Sequence, residues 1–159
     1  MKRVLWPLVL LFAGPTSGTD KSCNDLLWHH VYEPERLQVH QLCVTVTGTI
    51  MDATHGKRSQ GVRREADGDC HGWLKLDPGQ EKYINTGNMS DEEGNLVYEV
   101  VCLFPVSQDD AKAACKGYKS TVKLAPVGSR VKISGSWVQD DNHARWNEIH
   151  PVSSISVIP

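Results

Sequence analysis

The chain has 159 residues and a mass of 17.7 kDa, with 40% apolar and 23% charged residues, which suits one globular domain and excludes a long coiled coil or a wholly disordered chain. Seventeen basic residues stand against 19 acidic ones, a formal charge of −2, so strong generic nucleic-acid binding is not expected. Aromatic residues make up 7% and the mean hydropathy is −0.37, enough for one modest core.

Lys2 and Arg3 precede the apolar run from Val4 to Ala13, and the small or turn-forming Gly14-Pro15-Thr16-Ser17-Gly18 follow. That is the order of a secretory signal peptide over residues 1–18. The run is about half of the ~20 residues that a membrane-spanning helix needs, and Pro7 interrupts it. The expectation is therefore cleavage and a secreted or periplasmic chain without a membrane span. Losing Lys2 and Arg3 leaves 15 basic against 19 acidic residues, or −4.

Export makes disulfides the expected state of the cysteines. There are five, Cys23, Cys43, Cys70, Cys102 and Cys115, so at least one is left over. Cys102 with Cys115 and Cys23 with Cys43 are natural pairs, leaving Cys70, although spacing alone does not fix the connectivity. A zinc knuckle is disfavoured because no Cys-x2-Cys pair exists.

Residues 19–41 read as an N-terminal arm in which Leu26-Leu27-Trp28 and Val31-Tyr32 pack on the body and Glu33-Pro34-Glu35 breaks any helix. From Leu42 to Ile50 the pattern alternates, placing Leu42, Val44, Val46 and Ile50 on one face, with Gly48 at a bend or bulge. A polar loop runs from Asp52 to Asp69. His71 to Asp77 reads as a second strand with Leu74 and Leu76 inward and His71, Trp73 and Lys75 outward. Leu96 to Cys102 is a third strand after the turn from Asp91 to Asn95. Ser107 to Gly117 is the expected helix, with Ser107 as its cap, acids in the first turn and Gly117 as its stop. Arg130 to Val138 is a fourth strand, and Arg145 to Val157 a fifth, bent at Pro151.

Three strands, a short helix between strands three and four, and two more strands is the order of the oligonucleotide/oligosaccharide-binding (OB) fold, a five-stranded barrel. Val44-Thr45-Val46-Thr47-Gly48-Thr49-Ile50 and Gly128-Ser129-Arg130-Val131-Lys132-Ile133-Ser134-Gly135-Ser136-Trp137 resemble the first and fourth strands of that fold, where a Gly lets the strand turn the barrel corner. The resemblance covers residues 42–159 and implies a mainly β, OB-like barrel, with little about function. The segment His143-Ala144-Arg145-Trp146-Asn147-Glu148-Ile149-His150-Pro151-Val152 is also similar to the ends of small exported bacterial proteins of unknown function, a likeness that implies no activity.

Three places carry candidate chemistry. Asp67-Gly68-Asp69-Cys70-His71 sets carboxylates, a thiol and an imidazole at the mouth of the second strand, as a divalent metal such as zinc would require or as an Asp-capped turn would. The hairpin Asp140-Asp141-Asn142-His143 leads into the last strand, where Trp146, Glu148 and His150 share one face. With Ile149 inward they form an outer ligand stripe; with Trp146 and Val152 inward, Glu148 and His150 are buried and must satisfy each other or a metal. Lys57, Arg58, Arg63 and Arg64 against Glu65 make a local basic patch suited to an anion, with Trp73 as a stacking surface. Asn88-Met89-Ser90 is a glycosylation acceptor only in a eukaryotic secretory route.

The first functional expectation is a non-catalytic exported OB-like module that binds an unknown ligand, an anion for example, through the face of the second and third strands and the flanking loops, with His71, Trp73, Arg63, Arg64 and Trp146 as the contacts. The alternative is a small metal-dependent hydrolase, a nuclease for example, built from Asp69, His71, His143, Glu148 and His150, with Glu148 as base to a metal-bound water.

Overall fold

A computed structural model describes residues 23–54 and 61–159. The leader at 1–18, the first residues of the arm, and Lys57 and Arg58 lie outside the described residues.

Six strands are present: β1 (Leu37–Met51), β2 (Arg63–Arg64), β3 (Cys70–Leu76), β4 (Leu96–Val100), β5 (Arg130–Asp140) and β6 (Asn147–Val157). Five of them close on themselves in the order β1-β5-β6-β4-β3 and back to β1, while β2 adds outside β3. Every pair is antiparallel except β4 with β6. The result is the mainly β, closed five-stranded barrel that the sequence predicts, consistent with an OB-like fold.

Alternation decides which side chains fill the barrel. Val44, Val46 and Ile50 of β1, Cys70 and Leu74 of β3, Leu96, Tyr98 and Val100 of β4, Val131 and Ile133 of β5 and Ile149 and Val152 of β6 form one core. Closure needs β1 to pair on both sides at Gly48, which lies opposite Leu76 and Val131. A Cβ on Gly48 would stand 2.3 Å from the Lys75 carbonyl oxygen, so only glycine admits that approach. Leu42, expected inward, is 55% exposed. The register of β1 on β5 slips between Val39 and Val44, and that slip uncouples Leu42 from the alternation of the barrel half.

The helices differ from expectation in place. The only α-helix among the described residues is α1 (Thr86–Asp91), between β3 and β4, capped by Asn85 through a reciprocal pair of hydrogen bonds with Asn88. The segment Ser107 to Gly117 contains instead a 3-10 turn at Asp110–Ala113. Its intended cap is engaged elsewhere: Ser107 donates from both its backbone N–H and its hydroxyl to the Ala66 carbonyl.

The arm packs a second, smaller cluster against β1, β5 and the segment after β4. The arm supplies 3-10 turns at Asp25–His30 and Pro34–Arg36, and its Leu27 and Val31 pack with Leu37, Val101, Cys102 and Val138. Two disulfides, Cys23–Cys43 and Cys102–Cys115, tie the arm to β1 and the loop after β4 to itself. Both pairings are the expected ones, and Cys70 is the free thiol, buried in the barrel. No helix of the described residues is long and apolar enough to cross a membrane.

Candidate functional site

The outward positions of three neighbouring strands, β3, β4 and β6, carry a row of titratable groups. His71 on β3 lies opposite Glu99 on β4, and the parallel register of β4 on β6 brings His150 alongside Glu99. The Glu99 carboxylate meets His71 Nδ1 with one oxygen at 3.1 Å and His150 Nδ1 with the other at 3.0 Å.

Each imidazole has further partners. His71 Nε2 lies 3.0 Å from Glu92 Oε2, and the Trp73 indole N–H donates to the same oxygen. His150 Nδ1 also lies 2.9 Å from Glu148 Oε1, whose other oxygen accepts from the Trp146 indole at 3.0 Å. Beyond them Arg36 reaches Asp140 at 3.0 Å and Glu99 at 3.9 Å, and His143 bonds the same Asp140 at 2.9 Å.

Burial raises the stakes of each contact. Asp69, Glu92, Glu99, Asp140 and Glu148 are each 6% exposed or less, and His71 and His150 are 2% and 0% exposed. Burial pulls the His71 and His150 pKa values down, yet the carboxylates facing them win and raise them from 6.5 to about 9 and about 10. For His71 the opposing Arg63 guanidinium is outweighed by Glu92 and Glu99. Glu99, though desolvated, is held well below the usual carboxylate range by His150 and His71. Asp69 is pushed well up by burial, more than His150 draws it down, and Glu148 is pushed up by burial and by Glu99.

A cavity of about 600 Å³ opens above this row. Its floor is His71 and Glu99. The arm contributes Tyr32 and Arg36, the loop after β1 contributes Arg63 and Asp67, and the β5–β6 turn contributes His143 and Trp146. His143 stacks on Trp146 with ring centres 5.3 Å apart.

The predicted site residues divide accordingly. His71 and Trp73 do point out of the barrel, but each is 2% exposed, His71 against Glu92 and Glu99 and Trp73 among Ala53, Val97, Met51 and Trp146, so neither is the open stacking surface expected. Arg63 lines the cavity and faces Glu92 at 3.6 Å and Glu65 at 3.9 Å, while Arg64 lies over the Phe104 ring at 4.4 Å. Trp146 is in the cavity wall. Asp69, His71, Glu148 and His150 gather in the buried row, whereas His143 sits apart on Asp140. The two readings of the β6 face merge: Ile149 is inward, and Glu148 and His150 are nevertheless buried, against each other and Glu99.

The Asp67–His71 segment is both a turn and a cluster. Asp67 accepts from the Asp69 N–H at 3.0 Å and Asp69 Oδ1 from the Cys102 N–H at 2.7 Å, leaving Asp69 Oδ2 toward His150. Asn88 is fully buried, with its amide donating to the Asn95 and Asn147 carbonyls, which removes it as a glycosylation acceptor in the folded chain.

Arg36, Glu92 and Glu99 are the members that sequence reasoning missed, while Asp140 stood in the hairpin segment with His143. Glu99 had a signal, a lone charge among the apolar residues of Leu96 to Val101. Arg36 and Glu92 arrive from the arm and from the end of α1, and no spacing announces them. The chain matches no protein-family model, no curated protein and no solved structure, and the chemistry of the site is read from its geometry.

Proposed function

We propose that this chain is an exported, OB-like binding module that takes a small polar ligand in the cavity between residues 63–67 and the β5–β6 turn at 141–146. One observation carries this reading: the roughly 600 Å³ cavity lies between the two loops that flank the ligand face of OB folds. Its polar floor and its stacked His143–Trp146 wall suit a ligand that is hydrogen-bonded on one side and stacked on the other. The lining carboxylates Glu33, Glu65, Asp67 and Glu99 outnumber the lining arginines, and Arg63 is already paired. A donor-rich or amine-bearing ligand is therefore favoured over an anion. Two disulfides support folding in an oxidising compartment.

Tryptophan fluorescence titrations against amino acids, polyamines, monosaccharides and nucleoside monophosphates test the reading. Saturable binding of one class, lost in Trp146→Ala with the fold retained, supports it. No response in any class, or binding that Trp146→Ala leaves unchanged, sinks it.

A further inference from the structure

Beneath the cavity floor two buried polar atoms face each other without a hydrogen bond. Asp69 Oδ2 and His150 Nε2 lie 3.6 Å apart, and neither has a hydrogen-bond partner. Their other atoms are fully committed. Asp69 Oδ1 accepts from the Cys102 N–H, and both Glu148 and Glu99 converge on His150 Nδ1, which makes that nitrogen the proton donor and turns Nε2 toward Asp69. A carboxylate fixing one imidazole nitrogen so that the other is free to ligate is how proteins orient metal-binding histidines.

From these contacts the geometry points to a divalent-cation site centred on Asp69 Oδ2 and His150 Nε2, with the Glu99 carboxylate as the third ligand and Glu148 as a positioning residue. One donor atom from each of Asp69, Glu99 and His150 lies within 4.8 Å of the other two. Nitrogen and oxygen donors bound to one zinc at ~2.0–2.1 Å stand about 3.4 Å apart in a tetrahedron, close to the Asp69–His150 spacing. The charge balance agrees. Five buried carboxylates face Arg36, Arg63 and the two imidazoles, and an ion here takes the place of the proton on His150 Nε2.

The donor set of one imidazole and two carboxylates suits zinc or manganese better than magnesium, which prefers oxygen alone. Asp69 and His150 are 1% and 0% exposed, and Glu99 alone of the three borders the cavity. An ion there braces the residue before β3 against β4 and β6, and burial shields the fourth position that three protein ligands leave. The site shares Glu99 with the cavity above it, while Asp69 and His150 lie outside the cavity lining.

The test uses tag-free, disulfide-intact protein loaded with zinc both by equilibration and during oxidative refolding, since a closed site fills slowly. Elemental analysis after gel filtration is expected to give about one equivalent, with magnesium giving none, and thermal unfolding is expected to shift upward with zinc. Asp69→Asn keeps an acceptor for the Cys102 N–H and removes the anionic ligand, so stoichiometric binding should disappear. Glu148→Gln should weaken zinc about 10- to 100-fold, as loss of a ligand's orienting partner does. Wild-type protein that holds no zinc under either loading overturns the site. So does an equivalent of zinc retained at unchanged affinity in both variants, which would put the ion elsewhere. Should Asp69→Asn not fold, the Glu148→Gln affinity decides alone.

Discussion

Glu99 Oε2 and His150 Nδ1 stand 3.0 Å apart across the single parallel strand pair of the barrel, with the other Glu99 oxygen 3.1 Å from His71 Nδ1 on the opposite strand. One carboxylate on the middle strand thus serves imidazoles on both neighbours. Taking it away leaves His71 with Glu92 alone and His150 with Glu148 and Asp69. Removing one partner of a buried ionic set costs about 3–5 kcal/mol, and Glu99→Ala is expected to lose that much in urea unfolding. A loss below about 1 kcal/mol would show that the histidines do not depend on Glu99 for their charge.

The same network sets a pH dependence in chelator-treated protein. His71 and His150 are raised from 6.5 to about 9 and about 10, so their contribution is full below pH 6.5 and is lost as pH rises through those values. Glu92, Glu99 and Arg63 face His71, and Glu148, Glu99 and Asp69 face His150. Asp69, held up by burial, adds to the fall because its ionisation is costly in the folded chain. Glu99, held well below 4.5 by the histidines, acts oppositely, and its contribution fades as pH falls through its lowered value. Denaturant midpoints should therefore peak at about pH 5–7 and drop steadily toward pH 10. A flat profile between pH 7 and 10 would contradict the charged histidines.

The barrel was legible because its strands obey a period of two and because glycines mark the corners: Val44, Val46 and Ile50 face inward as the alternation requires. Both disulfides were legible from the sequence as well. The burial of the outer face was not. Nothing in the spacing of His71, Trp73, Glu148 and His150 shows that Glu92, Met51, Ala53 and Trp146 will close over them, since that cover depends on tertiary packing. α1 itself is hidden by its composition: Thr86-Gly87-Asn88-Met89-Ser90-Asp91 is poor in helix formers, and its capping box uses Asn88 where Glu or Gln is the familiar signal.

Gly72 is required by Tyr98. The two residues are opposite each other on β3 and β4, and a Cβ on Gly72 would stand 2.2 Å from Tyr98 Cζ. Gly72→Ala should cost about 3 kcal/mol or more through overpacking, and Tyr98→Ala should recover part of that in a double-mutant cycle. The Tyr98 hydroxyl is buried without a hydrogen-bond partner, a penalty of about 1–3 kcal/mol. Tyr98→Phe should accordingly be neutral or stabilising in thermal unfolding. A clear loss of stability in Tyr98→Phe would mean that the hydroxyl is satisfied in solution.

Cys70 is expected to behave as a core side chain. It is fully buried among Leu74, Tyr98 and Val100, and burial together with Glu99 and Asp69 pushes its thiol pKa upward, away from the thiolate that reacts. With Cys23–Cys43 and Cys102–Cys115 closed, an alkylating reagent at pH 8 should find no reactive thiol in the native chain and one after unfolding in denaturant. Because labelling needs opening of the barrel, its native rate should fall below that of the unfolded chain by at least about 10³, the lower end of folding equilibria for small domains. Mass spectrometry of the alkylated peptides assigns the site. A label found on any other cysteine, or fast native labelling of Cys70, would overturn both the pairing and the placement of β3 in the core.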